Sequence, residues 1–212
     1  MDSMKKIVFD LDGTLIDSHI DITASVNFVR ERLYGLPPMA TGKLARLLND
    51  TDVHLPMALY GLEAYEARAK EMFEIHYARQ CLQNARVFTG IPELLCALRN
   101  AGWQLYVATN APTMTSRLIL KNNGIGDFFQ GVIGADGVEH PKPHPEMIEK
   151  LLGNERIGAW MVGDSPKDVE AARRAGIRSV FVTWGYSKNL PEKVRSDACA
   201  AKPEELFLIL EN

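Results

Sequence analysis

The stretch IVFDLDGTL, residues 7–15, contains the residues on which the predictions of fold and function depend. It opens with three apolar residues, Ile7 to Phe9, which are typical of a short strand buried on both faces. Two carboxylates, Asp10 and Asp12, stand one residue apart where this run stops. Like charges this close raise each other's pKa or require a cation between them. Either the pair lies in open water, or a positive group belongs beside it.

Four later stretches resemble this first run. The five short apolar runs without polar alternation are KIVFD (6–10), LYVATN (105–110), GVIGAD (131–136), AWMVGD (159–164) and SVFVTWG (179–185). Helical stretches that begin near proline and end at glycine accompany them, at 92–102, 112–124 and 165–176. Alternating strands and helices with short connections imply right-handed crossovers. The sequence therefore predicts an α/β fold, with a Rossmann-like parallel sheet as its core and helices on both faces.

Residues 17–83 break this alternation and predict helices alone, at roughly 18–34, 40–48, 53–60 and 63–83. In ITASVNFVRERL, apolar residues recur at helical spacing, and Gly35 with Pro37 and Pro38 marks the end of the helix. We interpret this segment as a small helical domain inserted after the first strand. The predicted division is an α/β core of residues 1–16 and 84–212 and a helical cap of residues 17–83.

Composition narrows the class of protein. The 212 residues are 46% hydrophobic and 24% charged, with 24 basic and 27 acidic residues and a formal net charge of −3. This balance gives no electrostatic basis for binding nucleic acid or an anionic membrane. Three cysteines without a C-x-x-C pair indicate a reducing compartment, and no apolar run is long enough for a signal peptide or a membrane span. We expect a cytoplasmic protein.

Polar residues stand where the predicted strands end. Asp10 and Asp12 follow the first strand, Thr109 and Asn110 end the second, and Asp164 ends the fourth. Ligands of open parallel sheets bind outside the carboxyl ends of the strands, so these side chains are expected to meet at one edge. Each of them alone could equally cap a helix or start a turn.

Three carboxylates at one point would repel each other unless a hard cation held them. Oxygen-only ligands favour Mg²⁺, so Asp10, Asp12 and Asp164 are the candidate metal ligands. A calcium loop of the EF-hand type is excluded, because it needs glycine at position six and glutamate at position twelve. Counted from Asp10, the glycine is fourth and the twelfth residue is Asp21.

With a metal present, one carboxylate could attack a phosphoryl group and the other could act as general acid and base. Gly13 supplies the turn after the pair and lets backbone N–H groups approach a phosphate. The positive side chain that phosphoryl transfer needs is Lys142, in a loop stiffened by prolines at 141, 143 and 145. The alternative for Lys142 is an ordinary surface charge.

Together these residues resemble the haloacid dehalogenase-like hydrolase superfamily over nearly the whole chain. Its four motifs, in order, match Asp10-Leu11-Asp12-Gly13-Thr14, then Thr109 followed by Asn110, then Lys142, and finally Gly163-Asp164-Ser165-Pro166-Lys167-Asp168. The resemblance implies a parallel α/β core with a helical cap that closes over the site and selects the substrate.

The resemblance also implies roles for single residues. Asp10 would be the nucleophile, and Asp12 the general acid and base whose backbone carbonyl also binds the metal. Gly13, Thr109, Asn110 and Lys142 would contact the substrate, with Thr109 and Lys142 on the phosphoryl oxygens and Lys142 balancing the charge of Asp10. Asp164 would complete the Mg²⁺ site. Asp168 would orient Lys142 or a metal-bound water, or only cap a helix.

Within the superfamily, DGTLIDSHIDI and VTWGY look most like the phosphoglycolate phosphatase group. The chain departs from that group at two places that bear on substrate selection. It reads LLNDTD at 47–52, where the group tends to have a glycine-rich turn, and it has Ala111 where a lysine often follows the Thr-Asn pair.

We therefore expect a Mg²⁺-dependent phosphatase that hydrolyses a small phosphorylated metabolite, with 2-phosphoglycolate as one candidate, through an aspartyl-phosphate. The expected protein is a monomer or homodimer. The alternatives are a sugar phosphomutase, a phosphonate hydrolase that uses a cap lysine (Lys43 or Lys70), and a non-catalytic phosphate-binding or switch protein. Trp184 and Tyr186 could either pack internally or line the mouth of the pocket.

Overall fold

The computed structural model describes residues 5–50 and 52–211. Within them, strands run over Lys6–Phe9 (β1), Ile16–Asp17 (β2), Arg86–Val87 (β3), Gln104–Ala108 (β4), Phe129–Ile133 (β5), Trp160–Gly163 (β6), Arg178–Val182 (β7) and Ala198–Ala200 (β8). The helices are His19–Tyr34 (α1), Thr41–Asn49 (α2), Leu55–Tyr60 (α3), Ala67–Gln80 (α4), Ile91–Asn100 (α5), Thr113–Asn122 (α6), Glu146–Leu152 (α7), Pro166–Ala175 (α8) and Pro203–Glu211 (α9).

Six of the strands form one parallel sheet in the order β5-β4-β1-β6-β7-β8. The chain winds outward from β1 in both directions, to β4 and β5 on one side and to β6, β7 and β8 on the other. The strand order thus reverses at β1, and ligands of open α/β sheets bind in the crevice at such a reversal. Asp10 is the residue that follows β1 at this point.

The hydrophobic core lies on both faces of the sheet because successive side chains of a strand point to opposite sides. All four residues of β1 are buried. Ile7 and Phe9 belong to a cluster packed with α5 and α9, whereas Val8 belongs to a second cluster with α7 and α8. The prediction of a parallel α/β sheet covered on both faces is confirmed.

Helices α1 to α4 form a third cluster of buried apolar residues, among them Val26, Val29, Leu44 and Leu59. The short antiparallel pair β2 and β3 lies where the chain enters and leaves this helical segment. The predicted helix at 63–83 is shorter than expected, because it begins only at Ala67 and ends at Gln80. The division into a core of residues 1–16 and 84–212 and a cap of residues 17–83 stays a prediction.

The structure also contains elements that the sequence pattern did not predict: β2, β3, β8, α7 and α9. The first three have only two or three residues, which is too short to show a period. Of the helices in residues 5–50 and 52–211, none combines the length and the apolar character needed to cross a bilayer.

Helix α9 supplies a matched pair of residues for testing its place in the core. Leu206 is 0% exposed and Leu208 is 68% exposed. We expect Leu206→Ala to lower the free energy of unfolding by about 2–5 kcal/mol, because it leaves a cavity under the sheet. Leu208→Ala should change it by less than about 0.5 kcal/mol. Urea denaturation measures both, and equal effects would contradict the docking of α9.

Candidate active site

The side chains predicted at the strand ends line one cavity between the sheet edge and the inserted helices. Its volume is about 670 Å³. Asp10 and Asp12 follow β1, Thr109 follows β4, and Asp164 follows β6, so three parallel strands deliver them to the same edge. Lys142 reaches the cavity from the proline-rich loop before α7.

Lys142 and Asp10 form a buried ion pair at the base of this cavity. The Lys142 Nζ donates to Asp10 Oδ1 at 2.6 Å, to Asp168 Oδ1 at 2.6 Å and to the carbonyl of Ala108 at 2.7 Å. Burial alone would lower the pKa of Lys142, but the carboxylates of Asp10 and Asp168 outweigh it and raise that pKa above its ordinary value. Lys142 is therefore a fixed positive charge and not a solvated surface lysine.

The amide of Asn110 holds the backbone of Lys142 at both ends. Asn110 Oδ1 accepts from Lys142 N at 3.0 Å, and its Nδ2 donates to the Lys142 carbonyl at 3.0 Å. Both ends of this side chain are engaged, so Asn110 acts here on the position of Lys142. The neighbouring Thr109 hydroxyl accepts from Ala111 N at 3.1 Å, which leaves its own proton free for another acceptor.

Asp168 makes both contacts that the sequence left as alternatives. Its Oδ2 accepts from Ser165 N at 3.1 Å, which forms the capping box at the start of α8. Its Oδ1 accepts from Lys142 at 2.6 Å. Burial raises the pKa of Asp168 to about 6, against the opposing effect of Lys142.

Asp164 is buried, and hydrogen bonds are formed by one of its two carboxylate oxygens. Its Oδ2 accepts from Tyr186 N at 2.6 Å and from Asn49 Nδ2 at 3.3 Å, whereas Oδ1 is buried without a hydrogen-bond partner among residues 5–50 and 52–211. Burial, together with the charges of Asp10 and Asp168, raises the pKa of Asp164 well above its ordinary value. A buried carboxylate oxygen without a donor is an atom that a bound cation would satisfy.

The side chains of Asp10, Asp164 and Asp168 form a group whose oxygens lie within 4.8 Å of one another. Oxygen donors of this kind suit a hard divalent cation, and Mg²⁺ typically takes one or two carboxylates and leaves room for phosphate oxygens. Because Asp168 is occupied by Lys142 and Ser165 N, Asp10 and Asp164 are the carboxylates best placed to hold it. The donor set fits the expected metal.

The carboxyl of Asp12 is not a member of this group, although the sequence predicted that it would join Asp10 and Asp164. Its Oδ1 instead accepts from the Ser18 hydroxyl and, at 3.3 Å, from the Tyr77 hydroxyl. Burial, with a contribution from Asp10, raises the pKa of Asp12 to about 6. The expected binding of the metal by the backbone carbonyl of Asp12 stays a prediction.

Three glycines make room for the acidic group, and a Cβ on one of them, Gly163, would overlap the Asp168 side chain. Gly13 has φ +92°, and a Cβ there would lie 2.5 Å from Asp164 Oδ2. A Cβ on Gly185 would overlap the Gly13 carbonyl and the Asp164 side chain. The turn after β1 and the segment after β7 can approach Asp164 this closely only without side chains at these positions.

The structure distinguishes the roles of Trp184 and Tyr186. Trp184 packs against the core and donates from Nε1 to the Thr14 carbonyl at 3.0 Å. Tyr186 lines the cavity, and its hydroxyl accepts from Ser18 N at 2.8 Å. Tyr186 thus connects the segment after β7 to the entry of the inserted helices.

Two contacts join the inserted helices to the core beside Asp164. Asn49, at the end of α2, also donates to Ser187 Oγ at 2.9 Å, and Lys167 Nζ donates to the Leu48 carbonyl at 2.6 Å. Sequence reasoning missed Asn49 as a site residue, although it lies in the LLNDTD segment that departs from the related group. It also missed Ser18, which lies in the DGTLIDSHIDI stretch but outside the four superfamily motifs, and Tyr77, which stands in no motif.

Comparisons with a family model and with known proteins all indicate the same family. The sequence model of the haloacid dehalogenase-like hydrolase family matches residues 7–182. The chain is 35% identical to a phosphoglycolate phosphatase of Pectobacterium atrosepticum, over 87% of this chain and 82% of that one. It is equally 35% identical to a phosphoglycolate phosphatase of Rhodospirillum rubrum, over 87% and 81% of the two chains.

Among solved structures, a predicted phosphoglycolate phosphatase of Haemophilus somnus superposes with a TM-score of 0.81 at 29% identity, and 99% of each chain is covered. The chain belongs to the haloacid dehalogenase-like hydrolase family, in its phosphoglycolate phosphatase-like group. The predicted enzyme class, a phosphoric monoester hydrolase, is confirmed.

Removing the buried ammonium tests the electrostatics of the site. We expect Lys142→Met, without added metal, to lower the free energy of unfolding at pH 7 by about 3–5 kcal/mol, because it leaves buried carboxylates uncompensated. The pKa values of Asp164 and Asp168 are already raised in the folded protein. The folded variant therefore binds more protons than the unfolded chain, and its stability should rise as the pH falls from 7 towards 5.

Urea denaturation at several pH values measures this effect. The matched control is Lys150→Met, which removes a surface lysine of α7 paired with Glu146 at 2.9 Å. It should change the free energy of unfolding by about 1 kcal/mol or less. A Lys142→Met variant as stable as this control at pH 7 would contradict the charge balance described here.

Proposed function

From this family membership, we propose that the protein is a Mg²⁺-dependent phosphatase that hydrolyses a small phosphomonoester through an aspartyl-phosphate on Asp10. The observation that carries the proposal is the buried pair of Asp10 and Lys142 beside the unpartnered Asp164 Oδ1. The combination provides a nucleophile, a fixed positive charge and an open place for a cation at one end of a cavity.

Asp10 is the proposed nucleophile. Lys142 holds Asp10 Oδ1 in place, whereas Oδ2 accepts a long hydrogen bond from the Thr14 hydroxyl at 3.4 Å, so one oxygen can attack phosphorus while the other stays fixed. The Thr109 hydroxyl can donate its free proton to a phosphoryl oxygen. The N–H of Gly13 donates to the Ile16 carbonyl at 2.8 Å, and the part of Gly13 in binding the phosphate stays a prediction.

Asp12 is the proposed general acid and base. Ser18 and Tyr77 hold its carboxyl in one orientation. A pKa of about 6 lets the group protonate the leaving oxygen in the first step and accept a proton from water in the second.

Asp10, Asp164 and the backbone carbonyl of Asp12 are the proposed Mg²⁺ ligands. When bound, the cation would neutralise charge on the phosphoryl oxygens during transfer. Asp168 acts through Lys142, which it holds at 2.6 Å.

The relatives named phosphoglycolate phosphatase make 2-phosphoglycolate the first substrate to test. The proposed cap, residues 17–83, would close over the cavity and exclude water from the nucleophile until the ester has reacted. We expect a cytoplasmic monomer or homodimer.

The nucleophile is tested by Asp10→Asn, which removes the attacking charge but keeps the shape of the side chain. Phosphate release with Mg²⁺ should fall about 10⁴-fold or more, and wild-type release should disappear when EDTA removes the metal. The control is Asp17→Asn, a partly exposed carboxylate of β2 that does not line the cavity. Equal activity of Asp10→Asn and the wild type would exclude this mechanism.

The clamp on Lys142 is tested by Asn110→Ala. Loss of both hydrogen bonds to the Lys142 backbone should displace its ammonium and lower kcat about 10- to 100-fold. The urea midpoint should fall less than that of Lys142→Met, because the ammonium is displaced and not removed, and Asn100→Ala, an exposed control on α5, should keep the wild-type kcat and midpoint. If kcat were unchanged in Asn110→Ala, the amide would have no part in placing Lys142.

A further inference from the structure

We propose that the leaving group of the preferred substrate is uncharged and has an aromatic or branched apolar body. This inference rests on the proposed phosphatase function, because it concerns the part of the cavity beyond the phosphate end. The shape, lining and charge of that part favour such a leaving group over the carboxylate of 2-phosphoglycolate.

The inserted helices present an almost continuous apolar wall to the cavity. It comes from α1, α3, α4 and the turn before α4, and its members include Ile22, Val26, Leu59, Tyr60, Tyr65 and Phe73. Tyr65 stands edge-on to Tyr60, with ring centroids 6.1 Å apart. This wall is continuous with the cavity end that holds Asp10 and Asp12.

The polar side chains of the inserted helices nearest to the carboxylates are already engaged. The Asn49 amide donates to Asp164 and Ser187, and the Tyr77 hydroxyl donates to Asp12. The polar groups left on this wall, among the described residues, are the hydroxyls of Tyr60 and Tyr65 and the charged ends of Lys70 and Glu74. A buried polar group of the substrate that does not reach one of them is costly.

Apart from the proposed cation, the described residues around the cavity provide few positive groups that are free to pair with a second negative group on the substrate. Six carboxylates line it (Asp10, Asp12, Glu74, Asp136, Asp164 and Asp168) against three lysines, among the described residues. Lys142 already donates to three acceptors, and Lys167 donates to the Leu48 carbonyl. Lys70 is exposed and lies 5.9 Å from the centre of the Tyr65 ring.

The size of the cavity agrees with this substrate class. A volume of about 670 Å³ lies inside the range of about 300–1,000 Å³ that is typical of sites for drug-sized ligands. The two-carbon leaving group of 2-phosphoglycolate would contact little of the apolar wall.

The test compares three alkyl phosphates on the wild-type enzyme with Mg²⁺: 2-phenylethyl phosphate, ethyl phosphate and 2-phosphoglycolate. All three release an alkyl oxygen, so the comparison isolates the body of the leaving group. We expect kcat/KM for 2-phenylethyl phosphate to exceed both others about 10-fold or more, because the ring leaves water on binding. A kcat/KM for 2-phosphoglycolate equal to or above that of 2-phenylethyl phosphate would overturn the inference and leave the phosphatase function intact. No phosphate release from any of the three would overturn both.

A variant of Tyr65 tests the same inference through a ratio of kcat/KM values, which partial unfolding would not change. Tyr65→Ala should lower the ratio of kcat/KM for 2-phenylethyl phosphate to that for ethyl phosphate about 5-fold, because one face of the apolar wall is lost. Met114→Ala, which truncates a 74% exposed side chain of α6, should leave the ratio unchanged. A ratio unchanged in Tyr65→Ala would overturn the placement of the leaving group on this wall.

Discussion

Three buried carboxylates lie around one buried ammonium in this protein, and most features of the site follow from that imbalance of charge. Asp10, Asp164, Asp168 and Lys142 are all less than a tenth exposed. Buried charges are tolerated only when they are paired, and Lys142 pairs with only two of the three acids. The remaining negative charge must be removed by protons or by a cation. The raised pKa values of Asp164 and Asp168 reflect this excess of negative charge. The unpartnered Asp164 Oδ1 is the place where a cation could neutralise it.

The parallel sheet makes this arrangement possible because it delivers each charge from a separate, rigid element. Asp10 follows β1, Asp164 follows β6, and Asp168 lies in the first turn of α8, where the capping box fixes it. Lys142 lies in a loop and not on a strand or helix, and its two hydrogen bonds with Asn110 hold the backbone of this loop in place. Gly13 and Gly185 let the neighbouring segments approach Asp164 closely. The site is thus held by backbone geometry, which keeps like charges together that would otherwise separate.

The central strands and the four motif segments could be predicted from the sequence because their signals are local: a buried apolar run, then a polar residue at its end. What the sequence did not reveal depends on long-range packing. The carboxyl of Asp12 turns to Ser18 and Tyr77, and the second of these lies 65 positions away. Asn110 stands in a motif, yet its engagement with the Lys142 backbone depends on how a loop 32 residues later folds back. Strand β8 has only three residues, too few for a periodic pattern.

The same geometry separates the reaction from the choice of substrate. In the proposed reaction, the polar groups at the sheet edge would act on the phosphoryl group. The nearest polar groups of the inserted helices, on Asn49 and Tyr77, are bound to core acids. What these helices offer to the rest of a substrate is mainly apolar surface, which can change by single substitutions without disturbing a buried charge. Asn49 and Tyr77 are the exceptions, since they contact Asp164 and Asp12. Through these contacts and the bond from Lys167 to the Leu48 carbonyl, the positions of α2 and α4 are connected to the charged site, so a movement of these helices would change the arrangement of the carboxylates.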